Sequence, residues 1–455
     1  MSIYADDVIN FSSVLKIAYN FLTGRDYLTK KRSKERKKLI SVALGLPDLV
    51  FAADSIPVFP IRMEKFKINL YLMALNTATN LFGWNITTNL LGIARHIDFL
   101  KIVDNVLNSF INSTNEKYNE MYDLATKNRT SSELCFGVNS IYGMYISQHE
   151  NLDAHIKYSI RCDEWNKYSE SLKAFIPNQI RLEIPSGEIE DKNKTLDIMK
   201  ENIKKAISEL ENVTGNIVSD NSLKKQFRIG NQVKRYYKTI LHEISVSDFY
   251  PCNPATFAEI LALLTISFQD YNSNAQRYLE NMSYLVNEMK ERIKKGIGMD
   301  VSNRPLILFS PIFNGWEPEI HEIIYKLGGR VIYADWDILG LLEEIPVSTD
   351  SDPIEDYARF LLNASMKGLL CFKNCTALID SFAKYIKTLK INGFVFNQLS
   401  SCHSVSNCYD IVKNKIRNAQ RIPVTNVHFT KIGEKENIEQ TKMNLQSFME
   451  LFNKN

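Results

Sequence analysis

The stretch that decides the fold runs from Ile391 to Phe429, INGFVFNQLSSCHSVSNCYDIVKNKIRNAQRIPVTNVHF. Phe394, Val395 and Phe396 form a short apolar run behind Gly393, the pattern of a buried strand. Ser400, Ser401 and Cys402 follow, then a helical pattern from Tyr409 to about Ala419; Pro423 breaks it before a second strand, Pro423 to Val427. A strand–turn–helix–strand unit of this kind implies a parallel sheet. Its turns lie at the carboxyl ends of the strands, where open α/β sheets bind ligands. Cys402 sits in such a turn.

Working outward, the same plan appears earlier in the chain. A strand-like run at Ile156–Ile160 ends at Arg161-Cys162-Asp163, a helical segment follows from Asp163 to Ala174, and a second strand spans Ile180–Ile184. Before it, Leu46–Ile61 (LPDLVFAADSIPVFPI) reads as a short helix running into a strand that Pro57 introduces. Leu70–Ile93 continues apolar and aromatic around Trp84. Lys192–Phe227 and Phe257–Ile293 carry apolar residues at helical spacing. A further strand at Pro305–Phe309, a helix at Glu317–Leu327 that stops at Gly328-Gly329, and a strand at Val331–Ala334 open the final region. The expected organisation is a helical, polar segment over 1–40, an α/β lobe over 41–190, a helical insert or layer over 191–300 and a second α/β lobe over 301–455.

At 455 residues the chain exceeds a single compact core. Its 45% hydrophobic and 24% charged content is ordinary for a globular protein. The formal charge of +3, from 55 basic and 52 acidic residues, gives no reason to expect nucleic acid as a partner. The one dense basic run, Lys30–Lys38 (KKRSKERKK), reads as a solvated helix face, or else as a contact for an anionic cofactor or partner. Residues 1–20 lack the features of a secretory signal. No window reaches ~18 uninterrupted apolar residues, so no membrane span is expected. Seven cysteines in such a chain point to reduced thiols in a cytoplasmic protein, available as metal ligands.

Three cysteines stand at turn or helix-start positions. Cys135 opens CFGVNSIYGMYI after Ser131-Ser132-Glu133, Cys162 ends a strand, and Cys402 ends a strand in the other lobe. Thiols at strand ends in facing lobes can converge on one cleft. Backbone N–H groups at helix starts stabilise thiolates there, and thiolates are the usual iron–sulfur ligands. The opposing reading is that scattered cysteines are small buried hydrophobes, since no C-x₂-C-x₂-C run occurs. Cys371 and Cys375, about one helical turn apart, and Cys408 are further possible ligands, while Cys252 between Pro251 and Asn253 reads as structural. His403 beside Cys402 is a candidate to protonate substrate or to hydrogen-bond a cluster sulfide. The chain has no H-E-x-x-H, P-loop, G-x-G-x-x-G or G-x-S-x-G, which removes support for zinc hydrolysis, ATP hydrolysis and standard nicotinamide binding.

At these residues the chain resembles the 2-hydroxyacyl-CoA dehydratase family, which includes benzoyl-CoA reductase subunits and double-cubane cluster proteins. The blocks come in the family's order from about residue 40: PDLVFAADSIPV, CFGVNSIYGMY with RCDEWNKYSESLKAF and IRLEIP, LILFSPIFNGW with IIYKLGGRVIYADWD, SDPIEDYARFLLNASMKGLLCF, and the opening stretch. The resemblance implies two Rossmann- or flavodoxin-like lobes. A [4Fe-4S] cluster would sit in the cleft between them, held by Cys135, Cys162 and Cys402. It implies single-electron transfer to an acyl-CoA or aromatic-CoA thioester, either dehydrating a hydroxyacyl group through a ketyl-type radical or reducing a ring. The implied partners are a related subunit, forming a heterodimer, and an ATP-dependent iron–sulfur activator. Two alternatives stand beside it: a double-cubane [8Fe-9S] reductase of small molecules using Cys371, Cys375 or Cys408 as well, and a non-catalytic partner subunit. The chain departs from the family at Asp48-Leu49, where a Glu commonly follows the early Pro, and at Asp54, where Gly is common. These departures leave both the substrate-binding and the electron-relay roles open.

Overall fold

The computed structural model describes residues 12–42, 45–66, 77–78, 81–82, 86, 102–128, 134–159, 162–185, 191–310, 318–367, 375–399, 402, 408–429, 431 and 435–452. Two parallel four-stranded sheets organise them. The first uses β1 (Leu39–Ser41), β2 (Ile56–Val58), β3 (Ala154–Ser159) and β4 (Gln179–Glu183) in the order β2-β1-β3-β4. A two-stranded antiparallel ribbon, β5 (Phe249–Tyr250) with β6 (Met299–Asp300), intervenes. The second sheet uses β7 (Leu306–Ser310), β8 (Arg330–Ile332), β9 (Gly393–Leu399) and β10 (Val424–Phe429) in the order β10-β9-β7-β8. Read from its second strand, that order is the first sheet's plan repeated. In both, the chain reverses direction across the sheet between the first strand and the third. Such a switch point is where parallel sheets open a crevice at their carboxyl ends.

The strands follow from their residues. Phe394, Val395 and Phe396 of β9 are fully buried, as a central strand covered on both faces requires. Pro57 lies within β2, an edge strand paired only with β1, where a missing N–H costs no ladder bond. Asp54, just before β2, has φ +49°, the left-handed region that Asp tolerates better than most residues; the resemblance puts glycine there.

The region between the sheets is helical, but each long segment expected there is two helices. Lys192–Thr214 ends at Gly215, whose φ of +74° closes the helix, and Asp220–Thr239 begins under a Ser219 cap. Pro254–Phe268 starts with Asn253 Oδ1 accepting from Ala255 N at 2.8 Å and with Pro254 in the first turn. Nearly every residue of it is buried, and Ala275–Lys294 follows after a left-handed turn at 271–273. The buried helix packs on β8, on the Pro318–Lys326 helix and on the N-terminal Ser12–Leu22 helix, so one core spans both sheets.

The N-terminal segment departs from the polar reading. Val14, Leu15, Ile17, Ala18, Phe21 and Leu22 are buried, because the helix fits between Ala275–Lys294 and Ile102–Lys127 instead of lying on the surface. The basic run is on the following helix and its exit. Of its basic residues Lys30, Lys34 and Arg36 are exposed and Lys31, Arg32, Lys37 and Lys38 half-buried; Arg32 and Lys38 pair with Asp153 at 2.9 and 3.3 Å. Of Leu70–Ile93, all but a few positions lie outside the described residues.

His155, on β3, is fully buried between Tyr145 and Trp165, and neither ring nitrogen has a hydrogen-bond partner among the described residues. Burial lowers its pKa from 6.5 to about 3. The folded state therefore refuses a proton that the unfolded chain accepts below pH 6.5. Stability is unaffected above that pH and falls as the pH drops toward 3, by about 3 kcal/mol at pH 4.5. We expect His155→Phe to remove that part of the acid lability, visible as a flatter dependence of Tm on pH between 6.5 and 4.5.

Candidate functional site

Cys135 caps the Phe136–Gln148 helix itself. Its backbone is extended (φ −60°, ψ 146°), and its Sγ accepts from Val138 N at 3.4 Å. Cys162 does the same for the Asp163–Ser171 helix, its Sγ accepting from Trp165 N at 3.4 Å. The two thiols thus sit where helix dipoles and unpaired N–H groups favour negative charge. Cys402 lies just beyond the carboxyl end of β9, as Cys162 lies just beyond that of β3. The two are equivalent positions on the third strands of two sheets with one topology.

The fold places Cys402 beside Cys135 and within electrostatic range of Cys162. Cys135 and Cys402 share a thiol–thiol hydrogen bond, and the charge of Cys402 is felt at Cys162. Cys402 packs against both the main core and a second core of Leu39, Ile56, Val138, Tyr142, Tyr145 and Trp165 around Cys135. Lys431, after β10, ties the same seam. Its ammonium is 2.9 Å from Asp123 and lies over the Tyr122 ring, which stacks on Phe136.

The hydrogen bond with Cys402, then burial, raises the Cys135 pKa well above its ordinary value. Burial first, and then the charges of Cys402 and Glu164, push the Cys162 thiol up to about 11. Soft sulfur donors, two of them at helix starts, are the residue chemistry that iron–sulfur groups use. Among the described residues no group of three or more His, Cys, Asp or Glu side chains is arranged to hold a single metal ion. A cluster spreads its ligands over several irons, so it does not require donors around one point.

Behind the sulfurs is a wall that sequence reasoning missed. Trp165 Nε1 donates to Tyr158 O at 3.2 Å, Tyr168 hydroxyl donates to Asn139 Oδ1 at 3.0 Å, and the Tyr142 and Tyr168 rings pack 4.4 Å apart. Asn139 and Trp165 stand about one helical turn after Cys135 and Cys162, and Tyr142 and Tyr168 about two turns after them, which was the available signal.

The other expected site residues fall differently. His403 and Cys371 lie outside the described residues, and Cys375 begins the helix before β9 with its side chain outside them. Cys252 is fully buried in the main core. Cys408, buried before the Tyr409–Gln420 helix, is disulfide-bonded to a partner outside the described side chains. This corrects the expectation of seven reduced thiols: the fold closes a contact that spacing along the chain does not reveal. Cys408 offers a metal ligand only after reduction.

Among the described residues no helix is long and apolar enough to cross a membrane. A model of the family described as 2-hydroxyglutaryl-CoA dehydratase, D-component, matches residues 103–452, and no curated protein matches the chain significantly. The match takes in all three converging cysteines and both third strands, and it begins after the early block at Leu46–Ile61. The chain belongs to the 2-hydroxyglutaryl-CoA dehydratase D-component family.

Proposed function

We propose that this chain is the iron–sulfur subunit of a 2-hydroxyacyl-CoA dehydratase or benzoyl-CoA-type reductase, with Cys135, Cys162 and Cys402 holding a [4Fe-4S] cluster. The observation that carries the reading is the meeting of Cys402, beyond the second sheet, with Cys135, before the first sheet's third strand. Held by these three cysteines, the group would supply one-electron reduction and Lewis-acid activation of a substrate oxygen. The chain's own residues hold and orient it. Val138 and Trp165 N–H groups donate to two of the sulfurs, and the Tyr142, Trp165 and Tyr168 wall keeps water from their inner side. Glu164 adds negative charge beside Cys135 and Cys162, favouring a cationic occupant. The partners in this reading are a related subunit and an ATP-dependent iron–sulfur activator, and the substrate is an acyl-CoA or aromatic-CoA thioester.

Anaerobically purified protein is expected to contain about four irons per chain and to absorb broadly in the visible. Iron-free protein from such a preparation would end the reading. A double-cubane [8Fe-9S] centre is favoured by one observation: Cys375 starts the helix before β9 as Cys135 starts the helix before β3. It predicts roughly twice that iron and loss of iron on Cys375→Ser.

A further inference from the structure

A second buried polar site lies away from the cysteines. Asp48 opens a five-residue helix between β1 and β2, is 1% exposed, and has no hydrogen-bond partner at either carboxylate oxygen among the described residues. The Tyr271 and Tyr357 hydroxyls are fully buried and likewise unpartnered. Gly230 shows that two of these groups adjoin one stretch of backbone: a Cβ there would fall 2.6 Å from Asp48 Oδ1 and 3.1 Å from the Tyr271 hydroxyl. One turn further on, Lys234 is fully buried, its ammonium 4.0 Å from the Phe360 ring centre and 3.2 Å from the Glu343 carbonyl. Its charge acts on Asp48, and that of Asp48 on Tyr271 and Tyr357.

A bare carboxylate in such surroundings costs several kcal/mol unless something donates to it. Ordered water with two to four polar partners is the usual solution. Burial, opposed by the other's charge, pushes Asp48 up to about 6 and Lys234 down to about 8.

The site's position gives it a role. Asp48 belongs to the first sheet's half. The helix that carries Gly230 and Lys234 is fastened to the run leading into the second half's Pro353–Lys367 helix. Asn231 exchanges two hydrogen bonds with Ile345, at 2.7 and 2.9 Å, and Phe227 stacks on Tyr357 at 5.1 Å. That helix in turn packs on Cys375–Thr388, which leads into β9 and Cys402.

We propose that Asp48, Lys234, Tyr271 and Tyr357 enclose a bound-water site that joins Asp48 to Lys234 as a water-bridged ion pair. The pair braces the two halves at the spacing that sets Cys402 beside Cys135. Asp48 and Lys234 are positioning residues for the cysteine site. The inference rests on the thiol contact itself, so the absence of a cluster would leave it standing.

The test uses the metal-free full chain and a mild thiol oxidant. Closure of a Cys135–Cys402 disulfide, in which two thiols lose two protons and two electrons to the oxidant, is timed by mass spectrometry of the linked peptides. Asp48→Ala and Lys234→Met should each slow closure about tenfold, and Asp48→Asn with Lys234→Met together should recover most of the rate. Leu279→Ala, a core truncation elsewhere, should lower Tm without slowing closure. Should Asp48→Ala fail to fold, Asp48→Asn alone carries the same expectation. Wild-type closure rates in the single variants, well below their Tm, overturn the brace, as does a double variant slower than either. A high-resolution crystal structure without water between Asp48 and Lys234 overturns the bridge.

Discussion

Cys402→Ala is expected to leave the chain folded but without iron. Cys402 is half-buried, so removing its sulfur deletes little packing and should cost about 1 kcal/mol or less. The same change removes the only described thiol that the second half brings to the seam with Cys135 and Cys162. Two remaining ligands from one half cannot hold a cluster between halves, so iron should fall from about four per chain to near zero, with the visible absorbance. Cys135→Ser and Cys162→Ser should do the same, since serine keeps the cap but not the soft ligand. Cys252→Ala is the control: it empties a fully buried position, so it should lower Tm and keep the iron. If the three seam variants retain iron while Cys252→Ala loses it, the cysteines are packing residues and the proposed chemistry fails.

The largest loss of stability is expected at Arg62. Its guanidinium and the Asp270 carboxylate are both fully buried and 2.8 Å apart. Asp270 also accepts from Phe59 N at 3.0 Å and from Ser273 Oγ at 3.0 Å, and Arg62 donates to Asn20 O at 3.1 Å. The network pins the segment after β2 to the turn between the Pro254–Phe268 and Ala275–Lys294 helices. Arg62→Ala strands a buried carboxylate and should cost about 3–5 kcal/mol, measured by denaturant unfolding. Arg62→Met with Asp270→Leu should cost much less, because a buried pair replaced by apolar side chains loses little. If the double variant is no better than Arg62→Ala, the cost lies in lost packing and not in the stranded charge.

Much of the fold was legible because its strands are short, fully buried and punctuated. Gly393 before Phe394-Val395-Phe396, Pro423 before β10, and Gly328-Gly329 before β8 each mark an edge that the structure keeps. Boundaries were lost where a cap and not a change of composition ends or starts a helix, as at Gly215 and Asn274. The N-terminal segment was misread because its charges lie on the Gly24–Glu35 helix, while the Ser12–Leu22 helix before it is apolar. At the site, the helix-start position of Cys135 and the strand-end position of Cys402 could be read locally. Their contact could not, since it joins segments far apart in the chain.

By itself the sequence determined the parallel sheets, the helical segments and the turn positions of three cysteines, because those depend on periodicity and punctuation over a few residues. Only the tertiary structure decided that Cys402 meets Cys135, that Asp48 and Lys234 are buried at one junction, and that both halves share one strand order. Those facts depend on how distant surfaces pack, and packing is settled by the shapes of many side chains at once.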